Sequence, residues 1–285
     1  MKKNNGTFLV FIAAVLFSIG GLMVKIIPWS AMALNGARCS ISVIVLLIYT
    51  RIVHHKLVIN KAVMIGAMCS SVTNILYMLA NKMTTAANTI VLQYTAPIFI
   101  ILLMWLIYKE RPKKMDITAC ICVFIGIIFF FVDSMSSGNM LGNILALISG
   151  VTYAGVFMLN TSPNADPISS VIFGHGISAC VGIPFMLTQT QFSGQIIAGV
   201  LVLGVFQLAV AYICFCTGLR TTPPVTASLV SGIEPVLNPV LVAIFYHEYI
   251  GPVSIMGAAI VICSILAYNV IKAKNAHSKK AVEAS

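Results

Sequence analysis

Charge is what this chain lacks most. Of 285 residues, 7 are acidic and 17 are Lys or Arg, so 8% of the chain is charged while 59% is hydrophobic. Soluble domains carry about 25% charged residues, and so few charges cannot cover a water-facing surface. A soluble globular domain is therefore excluded, and lipid is the solvent for most of the chain. Catalytic signatures are missing too: there is no HExxH, no GxxxxGK[ST] phosphate loop and no GxSxG. ATP-driven transport by this chain alone is excluded, and no cofactor is expected. The eight cysteines all fall in apolar runs, and the pairs Cys120/Cys122 and Cys214/Cys216 point to opposite sides of a helix. They read as small packing residues, with no metal site and no disulfide framework.

What the chain has is apolar length. A spanning helix takes roughly 20 apolar residues, and ten such runs nearly fill the sequence, at about 7–27, 30–50, 61–81, 85–107, 114–132, 141–160, 167–187, 195–217, 221–246 and 251–272. The expected fold is an all-α membrane protein of ten transmembrane helices. The first run follows Met1-Lys2-Lys3 and is read as a retained span rather than a signal peptide. The tail 273–285 is polar and basic and is expected to be disordered.

The net charge of +10 is a topology signal, not a nucleic-acid footprint, because the bases sit at the ends of apolar runs. With a cytoplasmic N-terminus, cytoplasmic segments hold 14 bases: Lys2, Lys3, Arg51, Lys56, Lys61, Lys109, Arg111, Lys113, Lys114, Arg220, Lys272, Lys274, Lys279 and Lys280. The other side holds 2, Lys25 and Lys82, while Arg38 lies within a span. Both termini are thus expected in the cytoplasm, with the chain in the cell membrane.

The sequence also repeats. Thr84 and Thr222, Pro97 and Pro235, and Glu110 and Glu248 are each 138 residues apart. Two five-helix units result, 1–134 and 135–272. An odd helix number turns the second unit upside down relative to the first, an arrangement typical of secondary transporters.

Glu234 is the one acidic residue placed deep in a span. A charged carboxylate there costs a few kcal/mol and should face a cavity or a partner. It suits a proton-coupled or cation-binding site, or else it is a hydrogen-bonded structural residue at a kink. Pro97, Pro235 and Pro239 lie mid-span, where proline removes a helical hydrogen bond and kinks the helix. The freed carbonyls of Gln93, Ser231 and Pro235 then need other partners. Thr89, Gln93 and Pro97 share one helix face, and Ser231, Glu234 and Asn238 share another. With Gln207, these polar stripes are candidate cavity lining or interhelical hydrogen-bonding groups. Arg38 either snorkels to the outer interface or faces the cavity, where it could pair an anionic group or Glu234. His175 is a proton relay or a packed neutral ring. Phe17, Tyr77, Tyr94, Tyr153 and Tyr212 could wall a site for a cation or a ring. His54-His55 lies in a basic loop and is expected to have no acidic neighbour.

The paired segments Leu92-Gln93-Tyr94-Thr95-Ala96-Pro97 through Lys109-Glu110-Arg111, and Ile233-Glu234-Pro235-Val236 through His247-Glu248, resemble the drug/metabolite transporter superfamily, EamA type. Arg38 and Lys25 also sit where that family often has a base. The resemblance spans roughly residues 7–272. It implies two inverted five-helix halves, a central cavity and alternating access. Two departures stand out. Phe17-Ser18 replaces the Trp-Gly often found in the first helix, and the first span lacks the carboxylate of the small multidrug resistance relatives, so their proton-coupling scheme does not transfer. The function expected is a secondary transporter for an amino acid or related metabolite, in the export direction, acting as monomer or homodimer. The alternatives are an uptake carrier for an organic cation, a passive channel, and an intramembrane enzyme using Glu234 and His175.

Overall fold

A computed structural model describes residues 5–84, 86–132, 139–246 and 251–283. Among these residues the chain is all-helical. The elements are α1 (Asn5–Ile26), α2 (Ala31–Ile52), α3 (Lys61–Met83), α4 (Ala86–Gln93), α5 (Ala96–Tyr108), α6 (Lys114–Phe131), α7 (Met140–Phe157), α8 (Pro167–Met186), α9 (Gly194–Val202), a π-helical segment (Leu203–Val210), α10 (Ala211–Leu219), α11 (Pro224–Ser231), α12 (Glu234–Tyr246) and α13 (Pro252–Glu283). Seven helical stretches within the described residues are long and apolar enough to cross a bilayer. Two of them join neighbouring elements: Asn88–Tyr108 runs through α4 and α5, and Gly194–Leu219 runs through α9, the π segment and α10. The stretch Gly6–Gly20 of α1 is apolar but shorter.

Helix starts follow local chemistry. Ser30, Asn60, Asp166 and Ser193 each cap a helix by accepting the backbone N–H three residues on, and Asn139 does so for Leu141 and Gly142. Such caps satisfy donors that no helical carbonyl can reach. Lys109, at φ 57°, ends α5 in the left-handed region.

In the fourth and ninth runs one turn separates two helices, and Pro97 and Pro235 stand second in the later ones, α5 and α12. Proline is tolerated there, since those N–H groups have no intrahelical acceptor anyway. Two sequence-based expectations need correction. The tail does not leave the helix at 273: α13 continues to Glu283 through a run of Ala, Lys and other helix formers without Gly or Pro. His55 does have an acidic partner, for Asp166 arrives from the loop before α8 and sits 2.8 Å from Nε2. Thr85, His247, Glu248, the Ser134–Gly138 loop and the side chains of Lys25, Lys82 and Pro239 lie outside the described residues.

Helices of the two repeats pack directly on each other: α2 on α8, α3 on α7 and α8, α6 on α13, and α1 on α10 and α12. Close approach depends on small residues. A Cβ on Gly182 would lie 2.3 Å from the Gly36 Cα, and one on Gly257 would lie 2.6 Å from the Gly126 carbonyl. In lipid, such backbone contact and interhelical hydrogen bonds drive association in place of the hydrophobic effect. Ser42 to His175 Nδ1 (2.9 Å), Ser71 to Ser178 (3.1 Å) and Thr73 to Thr152 (2.8 Å) are bonds of this kind. Gly182→Leu is expected to force α2 from α8 and destabilise the fold by about 1–3 kcal/mol. Thermal unfolding of the purified variant checks this, and an unchanged melting temperature contradicts it.

Candidate functional site

The two helix breaks meet. In the first, α4 ends at Gln93, and the turn Tyr94-Thr95 is closed by the Thr95 hydroxyl donating to the Leu92 carbonyl at 2.6 Å. In the second, α11 ends at Ser231, and Gly232-Ile233 leads into Glu234 at the start of α12. The Tyr94 hydroxyl bridges them, 2.7 Å from Glu234 Oε2 and 3.1 Å from the Ser231 carbonyl. It has one proton to give. When Glu234 is charged, Tyr94 donates to the carboxylate. When Glu234 is protonated, the carboxyl can donate to Tyr94, whose own proton then turns to the Ser231 carbonyl. The contact is thus satisfied in both states of Glu234.

Glu234 lines a central cavity of about 70 Å³ together with Arg38, Gln93, Asn74, Gln207 and Tyr153. Phe17, Thr73, Tyr77, Leu208 and Tyr212 complete the walls. Small-molecule pockets run from about 300 Å³, so the walls must part before a metabolite fits. Arg38 is 5% exposed. Its guanidinium donates to Asn35 (3.3 Å from Nε, 3.0 Å from Nη2), to Asn74 (3.2 Å) and to Gln207 (3.4 Å). All three acceptors are neutral amides. Among the described residues no carboxylate comes within ion-pair distance of Arg38. A guanidinium and a carboxylate therefore face one small cavity without neutralising each other.

Gln207 reaches Arg38 from the π segment. A π turn adds a residue to the helical ring and rotates the next turn of the helix, and such turns are frequent at functional sites. No sequence signal marks it. Asn35 and Asn74 are likewise inconspicuous in the sequence; Asn35, three residues before Arg38 on the same helix face, is the more findable of the two.

The remaining candidates divide. Tyr153 packs edge-on against Tyr94, with ring centroids 6.3 Å apart, and faces the cavity. Gln93 donates to Ser149 at 3.3 Å and also lines it. His175 lies behind the wall, bonded to Ser42 and edge-on to Tyr212 at 4.8 Å. Thr89, Ser231 and Asn238 are not among the lining residues, and the two helix breaks separate Thr89 from Pro97 and Ser231 from Asn238. The shared-face stripes read from the sequence are thereby interrupted, because each spacing assumed a continuous helix.

Comparison with known proteins agrees with this architecture. The EamA-like transporter family matches residues 4–132 and again 140–270. The uncharacterized transporter YwfM of Bacillus subtilis (strain 168) is 28% identical over 282 residues, covering 93% of this chain and 94% of its own. An uncharacterized transporter of Clostridium kluyveri is 27% identical over 225 residues, 74% of this chain and 72% of its own. A solved crystal structure superposes with a TM-score of 0.83 at 14% identity, over 95% of this chain and 99% of that one, which shows a shared fold alone. With two tandem family matches spanning nearly its whole length, this all-helical, apolar chain belongs to the EamA-like transporter family of membrane transporters.

Proposed function

We propose that the chain is a secondary carrier that exports an amino acid or related small metabolite across the cell membrane by alternating access. In this reading ten spans form two inverted five-helix repeats, 1–134 and 135–272, followed by a basic tail, 273–285. Both termini face the cytoplasm, as the 14-to-2 distribution of bases favours. A monomer contains a complete route between its halves, and a homodimer is compatible with it.

The observation that carries the reading is the pair Arg38 and Glu234 in one cavity. A zwitterion offers each its complement: a carboxylate for the guanidinium and an ammonium for Glu234. Desolvating two opposite charges is far less costly when a ligand of opposite polarity neutralises both. Binding would replace the neutral partners of Arg38 and Glu234 by partners of opposite charge, so that both ends of each bond are ionised. Rocking of one repeat on the other then exposes the site to either side. An organic cation is the second reading, favoured by Glu234 among the aromatic rings of Phe17, Tyr77, Tyr153 and Tyr212. The buried charge of Arg38 in the same cavity weighs against it.

Counterflow in proteoliposomes loaded with a panel of amino acids, their decarboxylated amines and quaternary ammonium compounds tests both. Saturable flux of amino acids alone is expected. Flux of amines or quaternary ammonium compounds without amino acids selects the second reading, and no flux of any compound removes both.

A further inference from the structure

A second cavity, of about 710 Å³, lies at the basic end of the bundle between α5, α6, α11 and α13. It shares no lining residue with the central cavity. Its walls change character with depth. Along α5 they pass from Tyr108 through Met104 to Ile101, a descent of about 10 Å at 1.5 Å per residue, and Met115 and Val225 add apolar lining from the starts of α6 and α11. The rim carries three cations, Arg111, Lys113 and Lys272, against Glu110 and Asp116. Asp116 is already engaged, accepting from the Tyr268 hydroxyl at 2.7 Å. Lys272 is half-buried and bonded to hydroxyls, Thr226 and Tyr268, with its ammonium 5.2 Å from the Tyr268 ring centre. Among the described residues no carboxylate lies within ion-pair distance of it. The adjoining face of α5 exposes Leu102, Trp105 and Leu106, at 41%, 51% and 60%, where a membrane helix meets lipid.

A cationic rim above an apolar slot, beside a lipid-facing helix, has the polarity of one kind of ligand. We propose that this cavity binds an anionic phospholipid, its headgroup phosphate between Lys272 and Arg111 and an acyl chain along Met104 and Ile101. The proposal rests on the cytoplasmic placement of both termini, which sets this end in the anionic cytoplasmic leaflet. A free cation is disfavoured by the excess of positive charge, and a soluble anion leaves the apolar slot unfilled. The lipid would join α5 and α6 of the first repeat to α11 and α13 of the second. On α11 the site is lined at Pro224 and Val225, and the same helix leads on to Ser231 and the turn before Glu234.

The test uses the full chain in nanodiscs of phosphatidylcholine with a rising fraction of phosphatidylglycerol, read by melting temperature. Binding to the folded state alone raises stability with ligand concentration. Phosphatidylglycerol is expected to raise the melting temperature by several degrees over phosphatidylcholine alone. The double variant Arg111→Gln, Lys272→Gln is expected to lose more than half of that rise. Should the double variant not fold, Arg111→Gln alone, at an exposed position, is expected to show a smaller rise than the wild type. A rise that neither variant diminishes, or no rise at all, overturns the proposal. So does an equal rise with glycerol phosphate added to phosphatidylcholine discs, which assigns the cavity to a soluble phosphate ester. The readout needs no cargo, so failure of the amino-acid reading leaves this result standing, and the converse also holds.

Discussion

Glu234→Gln is expected to reduce amino-acid flux in proteoliposomes by about 30- to 4000-fold, with the fold retained. The magnitude comes from removing one partner of a buried charge pair, which costs about 2–5 kcal/mol, at tenfold per 1.4 kcal/mol. The fold survives because the new amide still offers an oxygen to the Tyr94 hydroxyl, now 2.7 Å from Oε2. The loss is specific to the ammonium end of the cargo. A thermal shift produced by the transported amino acid in the wild type should vanish in the variant while the ligand-free melting temperature stays the same. Flux within about twofold of wild type would show that Glu234 serves the helix break only.

Arg38→Gln tests the opposite pole and separates the two readings of function. If Arg38 meets the cargo carboxylate, amino-acid flux falls by a comparable factor, while flux of the corresponding decarboxylated amine is equal to or greater than that of the wild type. Arg38→Lys should not restore amino-acid flux fully, because an ammonium lacks the planar fork with which a guanidinium meets a carboxylate through two parallel bonds. Counterflow with the paired substrates measures the ratio directly. Equal loss for amino acid and amine would reduce Arg38 to a structural cation. Loss of quaternary ammonium flux in Glu234→Gln alone would favour the cation carrier.

The cavity as it stands, about 70 Å³, is smaller than either cargo requires. The hinge points available to enlarge it are the turns at Tyr94-Thr95 and Gly232-Ile233, where Thr95, Gly232 and Ile233 bond to the carbonyl three residues back instead of four. The polar contact between them passes through the Tyr94 hydroxyl, beside the apolar packing of Val91 with Leu229 and Val236. A ligand that took Glu234 from Tyr94 would loosen that contact. In the proposed carrier, binding and opening are linked through these atoms.

The arrangement at the basic end is a second instance of residues distant in sequence meeting in space. His55 follows α2 and Asp166 precedes α8, 111 residues apart, yet their side chains pair at 2.8 Å. Asp166 also caps α8 and bonds Ser169, whose hydroxyl accepts from the Val58 backbone at 3.0 Å. This polar knot ties the loop between α2 and α3 to the start of α8, and so one repeat to the other. It lies on the same basic end as the cationic cavity but on different helices.

The residue order alone determined the solvent, the helical class, the duplication and the places where two helices break. Each depends on composition or on spacing along one chain: apolar length, the 138-residue offset, and prolines that cannot donate. It also singled out Glu234, because a lone carboxylate in an apolar run is conspicuous wherever the run is packed. Only the tertiary structure decided that Arg38 faces the cavity rather than the interface, that Asn35, Asn74 and Gln207 hold it, and that His175 stands behind Tyr212. The physical reason is rotational. A mid-span residue points to lipid, to a neighbouring helix or to a cavity according to how its helix is turned. That turn is set by glycine contacts such as Gly36 on Gly182 and by a π segment that shifts the register by one residue, and neither can be read without the partner helix in place.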